Sequence, residues 1–374
     1  MKKVAIVTTH RANNFGAMLQ AYSLVLACRE VGMDAEILDW RNPYYEWLYH
    51  SAFRFYRNPI AGFKRAKIFW GVERAARNAF ESFREMLPMS RAIKSRRVLN
   101  CIESEYDSFI VGSDQVWNPI NSAIRAEDFD RANLLSFVRT KSRNAYAASI
   151  GVEEIQPDSI LSEFVKEWKR FDIITTREHA GAEYVRRLSE REAEVAVDPV
   201  LLHDAEFWCR VAKPIDKRRF LFLYNIKQSK ALARFALELA NKRGLELITV
   251  RIPAQNTPFV GKVVNAGPSE FLSYIREAEC VVTSSFHASA FSVIFGKELF
   301  VEQGRSKKSP NSRIASLFRF SGLIPELVAD YGSSYVSRVD GGRRDEQLLR
   351  NEISSSMEVL KKIAAGAKQL APQE

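Results

Sequence analysis

KVAIVTTHRANNFGAMLQAYSLVLACREVGMDAEILDW, residues 3 to 40, sets a β-branched run, a long apolar segment and a second apolar run in one line. Lys3 to Thr9 reads as a strand, with Val4 to Val7 apolar without interruption, as a strand buried on both faces requires. Phe15 to Val31 reads as a helix that Gly32 stops, and Ala35 to Trp40 as the next strand. A parallel neighbour needs a crossover, and a helix supplies it, so strand–helix–strand is the unit of a parallel sheet. The fold class expected is α/β.

The alternation continues outward from this stretch. Strands are expected at Ser108 to Val111, Asn144 to Ser149, Asp172 to Thr175 and Val195 to Val197, with helices near Ser159 to Phe171 and Ala180 to Leu188. A second series follows: Phe220 to Tyr224, a helix Lys230 to Arg243, Glu246 to Arg251, a helix Ser269 to Glu277, Cys280 to Thr283, a helix Ala288 to Phe295, and Leu299 to Glu302. Asp198-Pro199 and Lys213-Pro214 punctuate the chain between the two series. The expected architecture is two Rossmann-like domains facing across a cleft, residues 1–200 and 201–342, with a basic helical insertion at 41–100. Residues 343–374 read as a closing helix, Glu346 to Ala364, and a polar tail.

Composition sets the outer bounds. A chain of 374 residues exceeds the size at which one core stops growing, and 46% apolar with 27% charged residues describes an ordinary globular protein. No apolar run reaches the roughly 18 to 20 residues that span a bilayer, and the N-terminus does not read as a signal peptide. Cys28, Cys101, Cys209 and Cys280 form no CxxC pair and read as buried thiols, so a cytoplasmic location is expected. Most of the net charge of +10 lies between Arg41 and Arg97, where thirteen Lys or Arg face four Glu among twelve aromatic residues, including Trp47, Phe53, Phe55, Phe63, Trp70 and Phe83. Three readings stand: an amphipathic helical hairpin with a solvated basic face, attachment to an anionic membrane surface, or nucleic-acid binding. No recognisable motif supports the third, so nucleic acid is left out of the expected partners.

Ligands of open α/β sheets bind beyond the carboxyl ends of the strands, which directs attention to the residues just after them. After the first strand, Asn13, Asn14 and Gly16 could meet an anion or a sugar hydroxyl, or could simply cap and pack the helix. After Val111, Ser113, Asp114, Gln115, Trp117 and Asn118 set an indole beside hydrogen-bonding groups, a combination suited to a sugar face. After Thr175, Arg177 could clamp a carboxylate or phosphate, or pair with Glu178 at the surface. In VVTSSFHASAFSVIFGKELFVE, residues 281 to 302, His287 falls between a strand and a helix behind Thr283, Ser284 and Ser285. It reads either as a proton-transfer or phosphate-binding group or as a capped turn histidine. GxGxxG, Walker and HExxH motifs are absent. Asp128 and Asp130 have the spacing of a metal-binding pair, a pattern that chance often produces, and no metal is expected.

NNFGAMLQAY, YDSFIVGSDQVWNP, AYAASIG, TTREHAG, DPVLL, TSSFHASAFSVIFGKELF and NSRIASL follow in order from Asn13 to Leu317. Together they resemble the polysaccharide pyruvyl transferase family, over a stretch from Lys3 to about Gly322. The resemblance implies a GT-B-like pair of domains, with the acceptor on the first and the donor on the second. It implies transfer of pyruvate from phosphoenolpyruvate, a substrate rather than a cofactor, onto two sugar hydroxyls as a ketal. The setting would be capsule or exopolysaccharide synthesis, on an acceptor that in one reading is lipid-linked at the inner membrane face. His287 takes the catalytic place, Ser284 and Ser285 with the amides of the following helix are expected to hold phosphate, and Arg177 matches a family arginine. Family members tend to carry an arginine two positions before the histidine, where this chain has Ser285, so Arg305 or Arg313 is expected to join Arg177 in supplying the missing charge. The alternatives are a glycosyltransferase using a nucleotide sugar and a non-catalytic glycan-binding or scaffold protein.

Overall fold

The computed structural model describes residues 1–43, 46, 70, 71, 73–119, 129–152, 155, 158–216, 219–252, 260–305 and 311–367. The first sheet is parallel throughout: β1 (Lys3–Val7), β2 (Asp34–Ile37), β3 (Ser108–Val111), β4 (Ser142–Ala148), β5 (Ile173–Thr176) and β6 (Glu194–Val195) lie in the order β2-β1-β3-β4-β5-β6. The second sheet comprises β7 (Phe220–Tyr224), β8 (Glu246–Val250), β9 (Lys262–Val264), β10 (Cys280–Thr283), β11 (Glu298–Gly304), β12 (Glu326–Asp330) and β13 (Ser334–Asp340). Its order is β12-β13-β11-β10-β7-β8-β9, parallel from β11 to β9 and closed at the other edge by the antiparallel β12–β13 hairpin. This is an α/β fold with two parallel-dominated, Rossmann-like sheets. The hairpin, the short β9 and the helix Asn311–Phe320 were not foreseen. β12 is mostly exposed and carries no buried-strand pattern to read.

Each sheet reverses its strand order once: at β1 and β3 in the first, and at β7 and β10 in the second. Crossover connections leave in opposite directions from such a point, and the gap between them is where open α/β sheets hold ligands.

The helix Phe15–Glu30 joins the two halves. It is buried nearly all round, which explains why its apolar residues form no single stripe. Phe15 stacks on Phe271 of the second half with ring centroids 4.6 Å apart, meets Tyr224 edge-on at 5.6 Å, and lies 4.8 Å from Phe80. One continuous apolar core therefore runs from Val4 and Ile6 of the first sheet to Phe222 and Val281 of the second. The closing helix Glu346–Ala365 packs back on Phe15–Glu30 and on the short 3-10 turn Pro199–Leu202, and Val197 N–H donates to Ser356 Oγ at 3.0 Å.

Most of the basic insertion, with Trp47, Phe53, Phe55 and Phe63, lies outside the described residues. Of the rest, the helix Arg74–Arg84 buries Phe80 and Phe83, whereas Trp70 is exposed. Cys28 and Cys280 are buried as expected, but Cys101 and Cys209 are exposed, a correction to the reading of four buried thiols.

Candidate active site

The loop after β3 opens with Gly112, at φ 119°, where a Cβ would stand 2.1 Å from the Tyr146 carbonyl oxygen. Only glycine brings the chain this close to β4. Asp114 follows at φ 68°, in the left-handed region that aspartate tolerates better than most residues. Between them Ser113 is fully buried, its Oγ 2.8 Å from the Ala147 carbonyl and 3.3 Å from Asp198 Oδ2.

Asp198 is the centre of the site. It follows β6, caps the Pro199–Leu202 turn by accepting from Val200 N–H at 3.1 Å, and is buried completely. Its Oδ2 accepts from Arg177 Nη1 at 2.6 Å and lies 3.5 Å from His287 Nε2. Burial would raise the Asp198 carboxyl, but His287 and Arg177 together hold it well below the usual carboxylate range. Arg177, just after β5, is buried as well, so it is not a surface partner of Glu178. Its guanidinium lies over the Phe286 ring at 4.5 Å and within 3.6 Å of Asp114 Oδ1, while Nε and Nη2 make no hydrogen bond. Burial lowers the Arg177 value, but Asp198, Asp114 and Glu178 reverse this and leave it raised. Glu178 is committed elsewhere: its Oε1 accepts from Ser149 Oγ, Ile150 N–H and Gly151 N–H.

His287 arrives from the second half. Ser285 caps the helix Phe286–Ile294, its Oγ accepting from Ala288 N–H at 3.5 Å, so His287 sits in the first turn rather than before it. The side chain points across to the first half and packs on Gly16, where a Cβ would fall 2.1 Å from the ring. More than nine-tenths of His287 is buried, and its Nε2 makes no hydrogen bond. Arg313, in the helix Asn311–Phe320, faces the same cluster. With its amide oxygen turned toward Arg313, Gln115 accepts from Nη1 at 2.7 Å and from Nη2 at 2.9 Å, and Asn118 meets the Gln115 amide at 2.7 Å. Burial first, then repulsion from Arg177, pushes the Arg313 guanidinium down to about 10, against the pull of Glu178, Asp114 and Asp198.

The two halves thus bring together one histidine, two aspartates and two arginines. Among known proteins, the family model described as polysaccharide pyruvyl transferase matches residues 14–301.

The chain belongs to that family.

As a polysaccharide pyruvyl transferase family member it is a transferase enzyme, and every group just described except Arg313 lies within the matched residues. No protein of curated function matches the sequence. Similar solved structures include the UDP-GlcNAc 2-epimerase of Methanocaldococcus jannaschii in complex with UDP-GlcNAc and UDP, at 13% identity and TM-score 0.43, covering 80% of this chain and 83% of that one. The UDP-N-acetylglucosamine 2-epimerase of Rickettsia bellii is similar at 10% identity and TM-score 0.46, covering 98% and 95%. The spinosyn rhamnosyltransferase SpnG is similar at 12% identity and TM-score 0.39, covering 98% and 97%.

Several expected site residues of this pyruvyl transferase family member take other roles. Trp117 is no sugar platform: it is fully buried, packs on Trp168 and Phe171 at 5.5 and 5.8 Å, and donates from Nε1 to the Asn133 carbonyl. Arg305 is half-exposed, pairs with Asp330 on the edge hairpin and lies over Tyr335, so it does not replace the missing arginine. Asn14 is the helix cap, accepting from Ala17 N–H at 3.2 Å, and Asn13 accepts from Arg84. Asp130 is held by Trp40 Nε1, Asn42 and Arg96 and caps Ala132, while Asp128 lies outside the described residues. Sequence reasoning missed Asp198. Its signal was present in DPVLL, but a DP pair between two α/β series reads first as a boundary.

Proposed function

We propose that this enzyme moves pyruvate from phosphoenolpyruvate to a pair of hydroxyls on a sugar of a surface polysaccharide, as a ketal. The observation that carries the reading is the approach of His287 from the second half to Asp198 in the first, beside the unfilled donors of Arg177. Phosphoenolpyruvate must be protonated at its methylene carbon, attacked at its central carbon by two hydroxyl oxygens in turn, and relieved of phosphate. The two hydroxyls lose two protons; one ends on the methyl group and one leaves with phosphate. A histidine gives and takes protons near neutral pH, and Asp198 orients the ring and offers a counter-charge when it is protonated. Arg177 and Arg313 favour an anionic donor over a neutral one.

The test is acceptor-dependent release of phosphate from phosphoenolpyruvate by the purified protein. His287→Ala should lower turnover by roughly 10²- to 10⁴-fold with the thermal midpoint little changed, as loss of a positioned proton-transfer group does. A folded variant with near-normal turnover removes His287 from the mechanism. Ser285, in the place of a family arginine, favours a second reading, transfer from a nucleotide sugar. Nucleotide release from a sugar nucleotide, with no phosphate released from phosphoenolpyruvate, would establish that reading instead.

A further inference from the structure

The second sheet has its own ligand-binding gap, and a residue absent from every motif stands in it. The strand order of this sheet reverses at β7 and β10, so the loops after Tyr224 and after Thr283 flank the gap. Lys227 is in the first of these loops and Ser284 in the second. The two loops are tied: Lys227 N–H donates to Ser284 Oγ at 3.2 Å, Ser284 N–H to the Tyr224 carbonyl at 3.3 Å, and Thr283 Oγ1 to the same carbonyl at 2.7 Å. This places Lys227 beside the start of the Phe286–Ile294 helix, whose first turn presents backbone amides and carries His287, nine-tenths buried and with no hydrogen bond at Nε2.

We propose that Lys227 binds the phosphate of the donor substrate and takes the place of the cation lost at Ser285. The assignment rests on the phosphoenolpyruvate reading for the identity of the donor, but the cation site itself does not. Among the cations considered for the anion site, Arg177 shares its charge with Asp198 while Nε and Nη2 stay open, and Arg305 pairs with Asp330 instead. Lys227 is uncommitted: no ion pair engages its ammonium among the described residues. The nearby Glu302 carboxylate already accepts from Ser229 Oγ at 2.6 Å and Ser334 Oγ at 2.9 Å. Partial loss of water, then repulsion from Arg313, holds the Lys227 ammonium below the ordinary lysine value against the pull of Glu302. Two cations that repel each other at one gap are stabilised together by a dianion placed between them.

The experiment is calorimetric titration of the wild-type protein, Lys227→Gln and Lys227→Arg with phosphoenolpyruvate and, separately, with UDP, followed by competition with inorganic phosphate and with pyruvate. Lys227→Gln should weaken phosphoenolpyruvate and inorganic phosphate by at least about tenfold, the effect of one charge-assisted hydrogen bond, and leave pyruvate competition unchanged. Lys227→Arg should retain most of the affinity, and both variants should melt with the wild type. Wild-type affinity for phosphoenolpyruvate and phosphate in Lys227→Gln overturns the proposal. If the wild type ignores phosphoenolpyruvate but binds UDP, and Lys227→Gln weakens UDP, the pyruvate-transfer reading falls while Lys227 as the phosphate ligand stands. A wild type that binds neither phosphate-bearing probe overturns both.

Discussion

Asp198 carries more of this site than any other single residue, because two positively charged or protonatable groups and a buried serine all turn to its Oδ2. Replacing it by asparagine keeps the shape and removes the charge, leaving the Arg177 guanidinium buried without compensation. The expected cost is about 3 to 5 kcal/mol in urea unfolding at pH 7, the penalty for breaking a buried pair. A loss under about 1 kcal/mol would mean that water reaches Arg177. The pH dependence has a definite sign. The folded Asp198 value lies below that of the unfolded chain, so its stabilisation is complete above the unfolded carboxylate value near about 3.9 and is lost as pH falls further. Asp39, held down by His10 and Arg41 against burial, loses stabilisation in the same direction. Asp198→Asn should therefore flatten the acid limb of stability without abolishing it, because Asp39 remains.

At the level of elements, the start of the Phe15–Glu30 helix and the start of the Phe286–Ile294 helix are fitted to one another. Helix propensity alone predicts that Gly16→Ala stabilises, by up to about 1 kcal/mol. The contact predicts the opposite, since the new methyl would stand 2.1 Å from the His287 ring and 2.5 Å from its Cβ, neither of which is the free end of a flexible chain. The expected result is a folded variant with unchanged far-ultraviolet circular dichroism and turnover reduced by about 10²-fold, as a displacement near 1 Å can produce. Wild-type turnover in Gly16→Ala would show that the ring position is not critical. Gly16 packs against a residue of the other half, the reason that the structure supplies for a glycine here.

Across the whole molecule, the two sheets share a core instead of meeting at a wet interface. Phe15 is its keystone, between Phe80, Tyr224 and Phe271. Phe15→Ala should cost roughly 3 to 5 kcal/mol, as large-to-small changes in a packed core do. It should also loosen the coupling between halves, so that a single calorimetric transition in the wild type broadens or splits in the variant. A wild-type endotherm that already resolves two transitions would count against a continuous core. The site depends on this coupling, since Asp198 and His287 come from opposite halves and are 3.5 Å apart only while the halves stay packed.

The alternation of strands and helices was legible in sequence because burial on both faces writes an uninterrupted apolar run. Ser108–Val111, Phe220–Tyr224, Lys230–Arg243 and Cys280–Thr283 fall where that pattern places them. The exposed edge hairpin Glu326–Asp340 was not legible, because few of its side chains are buried enough to leave a pattern. Motif order likewise carried the family and singled out His287 and Arg177. Which neighbours those side chains meet is another matter: it depends on residues more than a hundred positions apart, as in the contact of Gly16 with His287. Trp117 shows the same limit, since an indole beside polar groups has one local sequence whether it faces a sugar or Trp168. Local sequence determined the elements and the family of this protein; only the packing of one half on the other decided that Asp198 joins the site and that Arg305 and Trp117 do not.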